Sequence, residues 1–176
     1  MLKILRGFTL IEMLVTVVIL AIVIVVAIPS FYSLVQNNRS VSATNSLLFG
    51  LKLARSEAIK RGLSVSICPT ADANFSACGN DWTQGWLVFV NPDENGTFAN
   101  NTTEVLIRSE QLTGSNHLIS PSPNVSLLTY KSSGFAAPGT SNVTFTIYAQ
   151  GCKSDHARNL NISTTGRTSV TNVNCP

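Results

Sequence analysis

The sequence is poor in the residues from which catalytic and metal sites are built. Histidine occurs only at His117 and His156, and charged residues make up 12% of the chain. There is no Cys-x-x-Cys and no histidine at metal-ligand spacing, so no metal and no cofactor is expected. Neither histidine has a nucleophile or an acid beside it in a catalytic pattern. The acidic run "NPDENG" (91–96) lacks the alternating oxygen ligands of a calcium loop and reads as a hairpin turn. Internal repeats and low-complexity linkers are absent too. Asn-x-Ser/Thr triplets, such as those starting at Asn101 and Asn142, arise by composition in a chain so rich in these residues. An enzyme is excluded on these grounds.

Charge is also missing where it would be most expected. No Lys or Arg lies between Arg6 and Arg39, and over 13–28 the only polar side chain is Thr16. The apolar residues are therefore concentrated at one end. Residues 8–28 would form a helix about 31 Å long at 1.5 Å per residue, matching a hydrocarbon core of roughly 30 Å. Lys3 and Arg6 precede it, which keeps that end cytoplasmic and puts the rest across the membrane. An ordinary secretory signal is cut after its apolar core; here the place for a cut is before it, between Gly7 and Phe8. The run nevertheless carries one carboxylate, Glu12, and ends at Pro29. An ionised side chain inside a bilayer costs roughly 2.5–3.5 kcal/mol on insertion scales and marks function by default. Pro29 removes one helical hydrogen bond and bends or loosens the rod.

A basic leader, then "GFTLIE", then an apolar run ending at a proline resembles a type IV prepilin. The resemblance implies that a membrane prepilin peptidase cuts after Gly7 and methylates the new amine of Phe8. Glu12 is then the fifth mature residue. The α-amine of Phe8 would neutralise Glu12 of a subunit already in the filament, in low dielectric where the attraction is strong. The plainer account leaves Glu12 in the headgroup region, one helical turn from the new terminus. In pilin-like proteins the position of Pro29 marks a helix kink; a simple kink at membrane exit is the alternative.

Past Pro29 the helical period continues. Phe31, Leu34, Val41, Leu48, Leu51, Ala54 and Ala58 make a narrow apolar stripe, with Asn37, Asn38, Arg39, Lys52, Arg55, Ser56, Glu57 and Lys60 on the other faces. Lys60 and Arg61 suit the C-terminal dipole, and Gly62 suits a left-handed cap. After Gly62 the period drops to two, which predicts strands at 63–68, 85–90, 104–109, 125–130, 143–149, 159–163 and 168–172 between turn signals such as "SPSPN" and "AAPGTSN". The expected architecture is α+β, a long N-terminal helix on an antiparallel β head: leader 1–7, membrane helix 8–28, amphipathic helix 29–62, head 63–176.

All four cysteines lie in the head, which points to two disulfides and an oxidising compartment. Three pairings are open; proximity in the chain favours Cys68–Cys78 and Cys152–Cys175. Trp82 and Trp86 read as space-fillers against the sheet. Charge is uneven: seven Lys/Arg against two acids in 1–61, one against six in 62–110, four against one in 111–176. Only the last third could hold a patch for a polyanion.

The head sequences "ARSEAIKRGLSVSIC", "WTQGWLVFV" with "NGTF" and "EVLIR" following, and "GC" ahead of "RNLNISTTGR" resemble the GspH/FimT/FimU family of minor pilins and pseudopilins. That resemblance implies a minor pilin of a type IV pilus, acting in assembly initiation or tip bridging, with the major pilin and other minor pilins as partners. It also implies residence in the bacterial inner membrane, head in the periplasm, before incorporation near the pilus tip. Two further roles belong to the family: DNA capture for natural transformation, and service in a type II secretion pseudopilus. DNA-binding members carry Gly-Arg-x-Arg near the C-terminus; here Gly166 and Arg167 match, and Ser169 stands where the second arginine would be. Lys153, Arg158, Gly166 and Arg167 are the candidates for contact with DNA or a partner.

Overall fold

The computed structural model describes residues 9–99, 101–112 and 116–176, with the side chains of Val26, Pro29 and Ser30 also outside the described set. Gly7 and Phe8 therefore lie outside the described residues. The chain divides into two units, Met1–Val35 and Gln36–Pro176.

Helix α1 runs Leu10–Arg61, and its helical assignment continues through Pro29. Thr9 caps its start: the Thr9 Oγ1 accepts from the Glu12 amide at 3.3 Å, and the Thr9 carbonyl accepts from the Met13 amide at 3.2 Å. A Thr followed three residues later by a Glu is the sequence of a capping box. The end is equally well defined. The Gly62 amide donates to the Ala58 carbonyl at 3.0 Å with Gly62 at φ +67°, the left-handed cap. Glu57 meanwhile pairs with Arg61 and Lys60 on the last turn.

In the first unit every large apolar side chain over residues 10–25 is exposed, between 45% at Ile24 and 84% at Leu10. In the second unit the helix buries one stripe: Gln36, Ser40, Ala43, Thr44, Leu47, Leu51, Ala54 and Ala58. This corrects the expected stripe at its N-terminal end. Phe31 and Leu34 are exposed, and steps of seven drift off a 3.6-residue period, so Val41 and Leu48 sit only half-buried at the margin. Ser40, among the buried polar residues, is doubly bonded. Its Oγ donates to the Gln36 carbonyl at 3.2 Å and accepts from the Ala149 amide at 3.0 Å, which fastens the helix to a strand end.

The head contains two antiparallel four-stranded sheets. The first comprises β1 (Val65–Pro69), β2 (Gly85–Val90), β3 (Leu106–Gln111) and β5 (Leu128–Tyr130), in the order β3-β2-β1-β5. The second comprises β4 (His117–Ser122), β6 (Val143–Ala149), β7 (Ala157–Ile162) and β8 (Thr168–Val173), in the order β4-β6-β7-β8. The main core joins Leu47, Leu51 and Ala54 of α1 to Ile67 and Val88 of the first sheet and to Phe145, Ile147 and Leu160 of the second.

Both tryptophans fill this core. Trp82, in a short 3₁₀ turn (Trp82–Gln84), donates its indole N–H to the Val125 carbonyl at 2.8 Å and meets Phe145 edge-on at 5.0 Å. Trp86 lies against the helix where Gly50 leaves room; a Cβ there would come within 2.8 Å of the indole nitrogen.

Strand β4 departs from the expectation, because its two serines and Pro121 read as turn residues and His117 as a loop position. It is an edge strand, where a missing amide donor is tolerated, and it alternates the core residue Ile119 with outward serines. β3 begins two residues later than expected. Glu104 instead turns into the connection before it and accepts from the Ala99 amide at 2.7 Å.

Candidate functional site

Two segments stand out from the sequence. In the first, Glu12 occupies the first turn of α1, where the partial positive charge of the helix N-terminus favours a carboxylate. It is exposed and, among the described residues, has no ion-pair partner. Around it lies the apolar sleeve of residues 10–25. Among the described residues no helix is long and apolar enough to cross a membrane; the expected span 8–28 includes Phe8 and the side chain of Val26, which lie outside them.

The second segment is the β7–β8 hairpin. Its turn is closed by the Ser163 amide donating to the Arg167 carbonyl and the Gly166 amide donating to the Ser163 carbonyl, both at 2.9 Å. Gly166 is buried at φ +72°, and a Cβ there would land inside van der Waals contact with the Gly134 carbonyl oxygen and 3.1 Å from both Arg55 Nε and Tyr130 Cε1. Its backbone is thus built into the head. Arg55 holds the same junction: Nε donates to the Gly134 carbonyl at 2.8 Å and Nη2 to the Thr165 carbonyl at 3.0 Å. The helical pattern assigns Arg55 to a solvated face. It follows Ala54 and lies four residues beyond Leu51, at the flank of the buried stripe, and that placement is the available signal.

The four basic-region candidates do not form one patch. Arg158 turns inward, donating through Nη2 to Asn37 Oδ1 at 2.7 Å and through Nη1 to the Asp155 and Ala157 carbonyls at 3.0 Å. It stands opposite Asn172, whereas the turn bearing Arg167 lies beyond the Ile162–Thr168 pair. Four residues of strand separate the two ends by about 14 Å. Lys153 sits with Cys152 at the Arg158 end. Arg167 is exposed at the other, its guanidinium without a partner among the described residues.

Cys68–Cys78 and Cys152–Cys175 are bonded, with Cα atoms 5.6 and 6.0 Å apart. The second bond anchors the C-terminus to the approach of β7, and the Cys175 amide adds a hydrogen bond to the Ser154 carbonyl at 2.8 Å.

A long N-terminal helix packed on antiparallel sheets is the α+β pilin fold. The particular family follows from sequence: the chain matches the family described as Type II transport protein GspH over residues 43–166 and a Prokaryotic N-terminal methylation motif over residues 5–28. It belongs to the GspH family of type IV minor pilins and pseudopilins. Two crystal structures of the type IV minor pilin FimU from Pseudomonas aeruginosa (strain PAO1) are similar to it. One, in space group P21, is 27% identical with a TM-score of 0.59, covering 76% of this chain and 89% of that one. The other, in P65, is 28% identical with a TM-score of 0.55, covering 74% and 90%. No curated protein matches the chain by sequence. Membership implies a structural rather than catalytic protein that interacts with other pilins. The methylation motif implies processing by the prepilin peptidase, with a membrane-anchored stage before the pilus-associated one.

Proposed function

We propose that this chain is a minor pilin subunit of a type IV pilus, incorporated through its N-terminal helix and acting where assembly starts or where other minor pilins are bridged to the shaft. The observation that carries the reading is the sleeve of exposed apolar side chains over residues 10–25, interrupted by a single acid. Burying one such side chain contributes about 1.5–3 kcal/mol, so the sleeve as a whole demands an apolar surrounding. Lipid supplies it first, with residues 8–28 spanning the inner membrane and the head in the periplasm; helices of neighbouring pilins supply it afterwards. Cutting after Gly7 gives Phe8 a free amine, subsequently methylated, that matches Glu12, the one acid among the described residues of the sleeve. One charge match per subunit would set the register, and Pro29 would let the rod bend as it packs.

The test is Glu12→Ala in the producing cells, with the mature N-terminus read by mass spectrometry and the protein quantified in sheared pili. The expected result is a chain still beginning at Phe8 but depleted from the pili. Recovery of the variant in pili at the parental level would defeat the proposal.

A second reading, DNA capture, is favoured by one observation, the exposed Arg167, whose guanidinium has no partner among the described residues. Ser169 and the inward-turned Arg158 leave it few cations, and a surface that neutralises fewer phosphates binds more weakly and with a shallower salt dependence. A low-salt DNA gel shift abolished by Arg167→Ala would support it. The pseudopilus reading is separated by genetic context: neighbouring genes for a secretion system would favour it.

A further inference from the structure

The outer face of the second sheet, turned away from the core, carries an ordered array of uncharged polar side chains. Strand pairing places Ser122, Thr144, Asn161 and Ser169 side by side in one row across β4, β6, β7 and β8. The next row is Ser120, Thr146, Asn159 and Thr171. Neighbours within a row are about 4.8 Å apart, and the rows about 7 Å apart. The alternating core residues Phe145, Ile147 and Leu160 fix the orientation, so these eight side chains face solvent. None of them carries a charge.

The array is pre-oriented. Thr144 Oγ1 donates to Asn161 Oδ1 at 2.7 Å, and Thr146 Oγ1 donates to Asn159 Oδ1 at 3.0 Å. Each amide oxygen thereby accepts one bond that fixes the amide, leaving its NH₂ group as a donor, while the threonine oxygens keep lone pairs free to accept. Tyr148 continues the β6 row of threonines on the same face and supplies a half-buried ring. At the other end the face deepens into a cavity of about 470 Å³ lined by Asn142, Asn161, Ser163, Arg167 and Ser169 among others, within the size range of small-ligand sites.

We infer that this face and its corner cavity bind a neutral polysaccharide. A protein partner would call for an apolar centre to the contact, and a nucleic acid for a row of cations; the two rows offer neither, and Leu118, exposed beside Tyr148, sits on the edge strand at the rim of the face. Fixed hydroxyls and amides that both donate and accept match the hydroxyls of sugar rings, and an adjacent aromatic ring meets their C–H faces. Because the Thr144–Asn161 and Thr146–Asn159 pairs are already held in place, little ordering opposes binding. A neutral ligand forms no ion pair with Arg167 in the cavity, so the affinity does not depend on salt. The inference goes beyond assembly: it makes no use of Glu12, so Glu12→Ala leaves it intact and either proposal can fail alone.

The experiment uses the detergent-solubilised full-length chain on chitin, cellulose, immobilised mannan and immobilised dextran, with immobilised heparin as the polyanion, at low and high salt. Retention on at least one neutral polysaccharide, unchanged by salt, is expected. Asn161→Ala should weaken it about tenfold, as for the loss of one well-made hydrogen bond, and Thr171→Lys, on the exposed edge strand, should weaken it as much without disturbing the core. Absence of retention on all four neutral supports overturns the inference, as does retention that survives both substitutions. Salt-sensitive retention on heparin alone would reassign the face to a polyanion. Self-association abolished by Thr171→Lys would reassign it to a second copy of the chain.

Discussion

Gly166→Ala separates a structural from a contacting role for the Gly-Arg pair. The substitution has two costs in this structure. Holding alanine at φ +72° costs about 1–2 kcal/mol relative to the right-handed region. The new methyl also overlaps the Gly134 carbonyl oxygen, so the hairpin must retreat on the order of 1 Å to restore contact distance. That retreat carries Thr165 away from Arg55, which bonds both loops at 2.8 and 3.0 Å. A hydrogen bond from a charged donor is worth about 1.5–3 kcal/mol. Arg55 is partly exposed, so the lower end applies to the bond that breaks. The sum is about 2.5–3.5 kcal/mol, against less than about 0.5 kcal/mol for Arg167→Ala on the surface. Urea unfolding followed by the fluorescence of the buried Trp82 and Trp86 measures both. A Gly166→Ala protein within about 0.5 kcal/mol of the parent would refute the account of the junction and return Gly166 to the contact surface.

Burial pushes the Tyr130 phenol up to about 12 from 10.0, with Arg55 pulling weakly the other way. Between pH 10 and 12 the unfolded chain loses a proton that the folded one keeps, so stability is intact below pH 10 and falls by roughly 2–3 kcal/mol as pH rises through that window. Tyr130→Phe, which removes a buried hydroxyl lacking a partner among the described residues, should lose this part of the alkaline slope and keep or slightly raise stability at pH 7; unfolding midpoints against pH decide it. Replacing both Cys152 and Cys175 by Ser opens a loop with a sequence separation of 23 and should cost about 3 kcal/mol, read in the same urea assay, with a neutral outcome counting against the disulfide as a structural tie.

What is legible in the sequence is whatever one local pattern determines. The helix end at Gly62 needs only a glycine after two basic residues, and β2 and β6 fall on the expected 85–90 and 143–149 because their ends coincide with turn residues. β4 is hidden because Pro121 carries a turn signature, and only its placement at an edge makes that residue acceptable in a strand. The basic candidates fail to converge for a topological reason. Residues 153–167 are close in sequence, but a hairpin runs Arg158 and Arg167 to opposite ends and folds the first onto Asn37, 121 residues away. Arg55 escapes notice because a flanking arginine on a helix is ordinarily solvated; here two loops distant in sequence bring carbonyls to it.

The same contrast holds within α1. Over residues 10–25 the apolar side chains surround the helix, and such a helix is stable only where every direction is apolar. From Gln36 onward a single stripe is buried, and that part needs one partner, the head. Composition alone therefore distinguishes the two environments, because the width of an apolar face reports how many sides are covered. It does not report by what. For the second half the covering strands belong to the same chain and the structure names them. For the first half the proposed assembly assigns the cover to lipid or to other subunits, and on that proposal the one acidic mark in the sleeve, Glu12, is the residue through which a choice of neighbour would be expressed. A sleeve of hydrocarbon slides and rotates at little cost against another; an anion that must meet a cation does not.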